Sequence, residues 1–103
     1  MTEADLPSLR ELYIQLQPGD DPSSAEMSKT VWREIEKNPD IRYFGAIDNG
    51  KVVSTCYAVY IPNLTRNNRG ICFIENVVTD KDYRNQGLAS RVIDMAVCQF
   101  RRR

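Results

Sequence analysis

A chain of 103 residues with 14 basic and 14 acidic side chains and no histidine has room for one domain, which buries ~60 to 65 % of its unfolded surface. Its balanced charge supplies no field to gather nucleic acid or an anionic membrane, so function has to be sought locally. Three cysteines, Cys56, Cys72 and Cys98, are odd in number, widely spaced and set in apolar runs. With no histidine beside them they argue against a disulfide framework and a zinc site, and read as reduced thiols packed in a core. The first residues form no apolar leader and no window reaches the roughly 20 apolar residues of a membrane span, so the expected location is cytoplasmic.

Residues 5–17 set Leu6, Leu9, Leu12, Tyr13 and Leu16 at helical spacing, with Thr2 or Asp5 to accept from the first free amides and Pro7 in the first turn. The turn-rich "PGDDPSS" follows. Met27, Val31 and Ile35 then recur every fourth residue from a Ser23 or Ser24 cap, predicting a second helix that buries this stripe and ends near "NPD", 38–40. From Ile41 the pattern turns to strand: "IRYFGAI", a hairpin turn "DNGK" whose Asn49 and Gly50 supply positive φ, and "VVSTCYAVYI", ended by Pro62. The loop "NLTRNNRG" leads to a third strand, "ICFIENVVT". A charged turn leads on to a last helix with a broad apolar stripe of Leu88, Ala89, Val92, Ile93, Ala96, Val97 and Phe100. The order ααβββα predicts one α/β (α+β) domain over residues 1–103, without repeats or linkers.

The junction "VVTDKDYRNQGLAS", residues 77–90, is where the chemistry concentrates. A strand entering a helix through a short turn leaves the first four helical N–H groups unpaired. That mouth attracts anions, by about 0.3–1 kcal/mol from the dipole and further through hydrogen bonds to phosphate oxygens. Gly87 lets main chain approach such a ligand, and Ala89 and Ser90 keep the opening small-sided. No Gly-x-x-x-x-Gly-Lys-Ser/Thr and no dinucleotide fingerprint occurs. On these residues alone two readings stand: an anion cradle, or a glycine that eases a turn beside a solvated Arg84.

The run Arg84-Asn85-Gln86-Gly87-Leu88-Ala89 resembles the Arg/Gln-x-x-Gly-x-Gly/Ala motif of the GNAT acetyltransferases. The strand before it, the two amphipathic helices, the Asn-Gly hairpin and the "IPNLTR" loop extend the likeness over essentially the whole chain. The resemblance implies a partial GNAT fold, with an antiparallel three-stranded sheet flanked by helices. It also implies acetyl-coenzyme A as cosubstrate, its pyrophosphate on the amides of Asn85, Gln86, Gly87, Leu88, Ala89 and Ser90 beside Arg84. Its pantetheine would pair with main chain at Val77 and Thr79, where the family's strand is bulged. The sequence does not display the bulge.

Acetyl transfer to an amine needs a neutral nitrogen, so a base helps. Glu75 is the acidic side chain on the coenzyme strand and the candidate base, with a structural carboxylate as the other reading; the N–H of Val77 is the candidate for polarising the thioester carbonyl. The five tyrosines, Tyr13, Tyr43, Tyr57, Tyr60 and Tyr83, match no general-acid position of the family and read as core or strand-surface residues. Asp20 and Asp21 lie where the family gathers its acceptor, and read as a solvated loop or an attraction for a cationic substrate. Compared with the family pattern, a first strand and the elements after the coenzyme helix are missing. The expectation is therefore a third strand left as an uncovered edge, through which the chain self-associates. Two functions stand: an acetyl-coenzyme A-dependent N-acetyltransferase, or its coenzyme-binding half, acting on a small-molecule or protein amine; and a non-catalytic module that binds coenzyme A or a protein partner. No metal, nucleic acid or membrane partner is expected.

Overall fold

The computed structural model describes residues 1–19 and 25–101, the side chains of Phe100 and Arg101 excepted. Asp20, Asp21, the Ser23 or Ser24 cap, Arg102 and Arg103 lie outside the described residues, as does the Phe100 end of the apolar stripe. The elements run α1 (Leu6–Leu16), α2 (Ala25–Lys37), β1 (Ile41–Asp48), β2 (Lys51–Ile61), a short α3 (Thr65–Asn68), β3 (Ile71–Thr79) and α4 (Leu88–Arg101). Short 3-10 turns, Glu3–Asp5 and Lys81–Tyr83, precede α1 and α4. The ααβββα order holds, with these short turns added.

Local chemistry fixes the boundaries. The Asp5 carboxylate accepts from the Thr2 N–H at 2.8 Å, so the chain enters α1 with a donor satisfied by the residue three positions on. Asn38 Oδ1 accepts from the Asp40 N–H at 2.9 Å, turning the chain out of α2 and into β1. Asn49 and Gly50 take φ of 51° and 75°, the pair of left-handed residues that a tight hairpin requires. In α3, Arg66, Asn67 and Asn68 all have φ between 52° and 62°, so this element is a strained turn and no right-handed helix.

The sheet is antiparallel in the order β1-β2-β3. Its two faces carry separate cores. On one, Leu6, Leu9 and Leu12 of α1 and Trp32 of α2 close over Val52 and Val78. On the other, Val92 and Ala96 of α4 sit on Cys56 and Ala58. The Ser8 hydroxyl accepts from the Val52 N–H at 3.1 Å and ties the start of α1 to β2.

Two expectations about burial need correction. Met27 and Val31 are 64 % and 50 % exposed, and α2 instead buries Trp32, with Ile35 packed beside it. Cys72 and Cys98 are exposed, so of the three cysteines only Cys56 is a core residue; burial raises its thiol pKa. The apolar stripe of α4 is covered only in part, with Val97 outside its buried strip at 38 % exposure. No helix among the described residues is long and apolar enough to cross a membrane.

Candidate active site

The register of β3 against β2 changes within the strand. Thr55 faces Val78 but Tyr57 faces Glu75, so Asn76 and Val77 together stand opposite Cys56. This is a β-bulge on β3. Asn76 takes φ of 52°, the left-handed value that lets the extra residue fit. The bulge lies where the family resemblance required one, and among the described residues β3 is at one edge of the sheet. The register also fixes where Glu75 lies. Cross-strand partners share a face, and Glu75 pairs with Tyr57, which pairs with Tyr43, a residue packed against the α1/α2 core. Glu75 is therefore an exposed carboxylate on the α1/α2 face, whereas Val77 packs with the α4 core.

Beyond the bulge the strand feeds the turn that opens α4. Thr79 is held by its hydroxyl to Ser54 Oγ at 2.8 Å, and its carbonyl accepts from Arg84 Nε at 3.2 Å, so Arg84 folds back along its own strand. Asn85 and Gly87 have φ of 66° and 77°. A Cβ on Gly87 would meet nothing within 4 Å, so the glycine answers to conformation and the space over it is open. The Gly87 carbonyl receives the first α4 bond, from the Arg91 N–H at 3.1 Å. The amides of Leu88, Ala89 and Ser90 precede any possible i−4 partner within the helix. Arg84, Asn85, Gln86, Gly87 and Ser90 are exposed, and Leu88 and Ala89 half-buried.

Side chains from distant segments brace this turn. Asp80 Oδ1 accepts from the Asp82 N–H at 2.9 Å and Oδ2 from Gln15 Nε2 at 3.3 Å, while Gln15 Oε1 accepts from the Lys81 N–H at 3.0 Å. The Asp82 amide above all, helped by Gln15, Lys51 and Lys81, holds the Asp80 carboxyl below its ordinary pKa. The Tyr83 hydroxyl donates to Asp48 Oδ2 at 2.6 Å, a bond that raises the phenol's pKa. Sequence reasoning missed Gln15 and Asp48, because no local pattern marks a contact made over 35 to 66 residues.

An open groove of about 570 Å³ lies between α1 and α2. Leu9, Tyr13, Ile14, Val31, Trp32 and Tyr43 form much of its lining. Tyr43 stacks on Tyr57 at 4.9 Å and meets Trp32 edge-on at 5.2 Å. The Tyr13 hydroxyl is sealed from solvent and makes no hydrogen bond of good geometry, with Tyr43 and Asn76 as its polar neighbours. Burial, then Tyr43, raises its pKa, so it stays protonated. Tyr13, Tyr43 and Tyr57 thus form an aromatic row between the groove and the bulge, and Tyr83 belongs to the turn. Among the described residues no group of acidic, cysteine or histidine side chains has the arrangement of a metal site.

Residues 6–103 match the family model described as "Acetyltransferase (GNAT) family". Glucosamine 6-phosphate N-acetyltransferase of Trypanosoma brucei brucei is 28 % identical over 102 residues, which span 99 % of this chain and 69 % of that protein. Among solved structures, a putative acetyltransferase from Agrobacterium tumefaciens superposes with a TM-score of 0.89 at 36 % identity, over 96 % of this chain and 69 % of that one. Glucosamine-6-phosphate N-acetyltransferase from Arabidopsis thaliana superposes at 0.86 with 21 % identity, covering 99 % and 71 %, and shares the fold.

Proposed function

The chain belongs to the acetyltransferase (GNAT) family, and from that premise we propose that it is an N-acetyltransferase that takes its acetyl group from acetyl-coenzyme A. One observation carries the reading: a strand bulged at Asn76–Val77, at the edge of the sheet formed by the described residues, runs directly into a turn whose Gly87 is open above and whose helix begins with amides that have no i−4 partner within it. Main chain of this form suits a ligand that is an extended amide arm at one end and a pyrophosphate at the other. In this reading Val77 and Thr79 pair with the arm, and Asn85 to Ser90 hold the pyrophosphate.

Acetyl-coenzyme A, when bound, would supply the acetyl group as a thioester. The Val77 N–H would donate to the thioester carbonyl oxygen and favour the charge that develops there. Glu75 receives the proton of the incoming ammonium, directly or through water. The neutral nitrogen would then bond to the carbonyl carbon as the carbon–sulfur bond breaks, and the coenzyme A thiolate would leave, taking up the proton that the new amide nitrogen gives off. The need for a base is quantitative, since an alkylammonium near pKa 10.4 is only about one part in a few thousand neutral at pH 7. Raised tyrosine pKa values leave Tyr13 and Tyr43 as neutral hydroxyls and unsuited to the base role.

Calorimetric titration with coenzyme A, beside a thiol-release assay over a panel of amines, tests the proposal. Glucosamine 6-phosphate, the substrate in the relative's name, belongs on that panel together with amines on apolar bodies suited to the groove. Glu75→Gln should lower turnover by about 10²-fold and leave coenzyme affinity within a few-fold. Unchanged turnover would return Glu75 to a structural role.

The outer edge of β3 favours a second reading. Ile71 and Phe73 are 40 % and 47 % exposed, on a terminal strand without Lys or Pro to discourage pairing. A non-catalytic module that binds coenzyme A or a protein there, and self-association of two copies, both fit that edge. Light scattering at rising concentration tests the latter; a monomer throughout would dismiss it.

A further inference from the structure

The turn between β3 and α4 is fastened to a helix that the reaction, as drawn above, does not use. Gln15, in the last turn of α1, bonds to it twice: Nε2 donates to Asp80 Oδ2 at 3.3 Å and Oε1 accepts from the Lys81 N–H at 3.0 Å. Donor and acceptor are both needed, and an amide supplies both on one side chain. The other oxygen of Asp80 accepts from the Asp82 N–H, so this carboxylate closes the 3-10 turn with one oxygen and meets α1 with the other. Farther back, α1 is anchored independently. Ser8 accepts from the Val52 amide, and Glu11 pairs with Lys51 at 3.6 Å. The helix is therefore held to the sheet without Gln15, and the amide's particular effect is on the turn. Leu9, Tyr13 and Ile14 of the same helix wall the groove.

We propose that Gln15 is a positioning residue for coenzyme binding, holding the turn to α1 so that the coenzyme site and the groove wall are ordered together. The inference rests on the reading of this turn as the coenzyme site. The main-chain amides of Asn85 to Ser90 bind a ligand only in the orientation the turn gives them. Ordering that Gln15 supplies in the free protein would, in its absence, be charged against binding. Linkage makes the effect mutual: a ligand that favours the ordered turn also favours the α1 end joined to it.

The test uses the full chain and coenzyme A itself. Gln15→Met keeps length and helix packing but neither bond. Gln15→Glu keeps the acceptor for Lys81 and sets a carboxylate against Asp80. Calorimetry should show coenzyme A binding about five- to tenfold weaker in Gln15→Met and at least as weak in Gln15→Glu, with thermal midpoints within a few degrees of the parent. Hydrogen exchange supplies a readout that a merely structural role would not move. In the parent, coenzyme A should slow exchange at Lys81, Leu16 and Gln17; in Gln15→Met that slowing should persist in the coenzyme turn and vanish in α1. Equal affinities, or equal coenzyme-induced protection of α1 in both proteins, would overturn the inference. A parent chain that does not bind coenzyme A would instead refute the coenzyme reading, and the parent titration alone separates that failure from the first.

Discussion

The two faces of the sheet are packed by different kinds of residue. The α4 face is buried most deeply at Cys56, Ala58, Val92 and Ala96, all small side chains, with Phe44, Tyr60, Ile74 and Ile93 packed around them. The α1/α2 face closes with three leucines, a tryptophan and valines, and leaves a groove of about 570 Å³ between its helices. The difference matches the task proposed for each. Main-chain recognition needs amides at fixed positions, which tight small-residue packing provides; an acceptor is recognised by side chains, and large ones standing apart leave space to do so.

The largest test of that contrast is Gly87→Glu. It forces a left-handed residue to carry a side chain and sets negative charge over the helix mouth, so coenzyme A affinity should fall by at least ~100-fold in calorimetry. Retained affinity would remove the turn from the site. Next is Leu12→Ala on the groove side, which should cost about 3 kcal/mol in denaturant unfolding, since Leu12 is 1 % exposed. Ala96→Leu on the other face should cost about 2 kcal/mol by overpacking, yet weaken coenzyme binding more than Leu12→Ala does, because it lifts α4. If the two variants change affinity equally, the faces do not divide the work.

Smaller effects sharpen the picture. Tyr13→Phe removes a buried hydroxyl without a well-formed bond, and should leave stability unchanged or raise it by about 1 kcal/mol; a clear loss would mean that Tyr43 or Asn76 does hold it. The smallest effect is that of pH on Asp80, whose folded pKa lies below its unfolded one. Its contribution is complete above the ordinary carboxylate value near 3.9 and is lost as pH falls through the lower folded value. The tie to Gln15 should thus hold unchanged from pH 8 to 5, and Lys81 amide exchange, corrected for intrinsic rate, should accelerate only below about pH 4.

Much of this was legible in the residues. Asn49-Gly50, the strand-to-helix junction and Gly87 announce backbone conformations that few other residues adopt, so local sequence suffices for them. The bulge was not legible, because it is a mismatch between two strands, and nothing in "IENVV" alone states which residue faces Cys56. Burial failed for a related reason. Periodicity groups Met27, Val31 and Ile35 on one side of α2 but does not say how the helix is rotated against its neighbours; Trp32, about 100° around from Val31, carries the larger apolar surface and takes the buried place. Cys72 and Cys98 sit in apolar runs whose own outer sides are exposed.

Trp32 is the chain's sole tryptophan, lodged at 5 % exposure against Tyr43 and donating through its indole N–H to Glu36 at 2.6 Å. Its emission therefore reports on one face only. Undocking of α2, or a molecule entering the groove, changes the indole's surroundings directly, whereas loosening of α4 on the far side of the sheet leaves them intact. Comparing tryptophan emission with far-ultraviolet circular dichroism during unfolding thus asks whether the two faces melt together. Coincident curves would identify one cooperative unit, and an early emission change would show the groove side opening while α4 still stands.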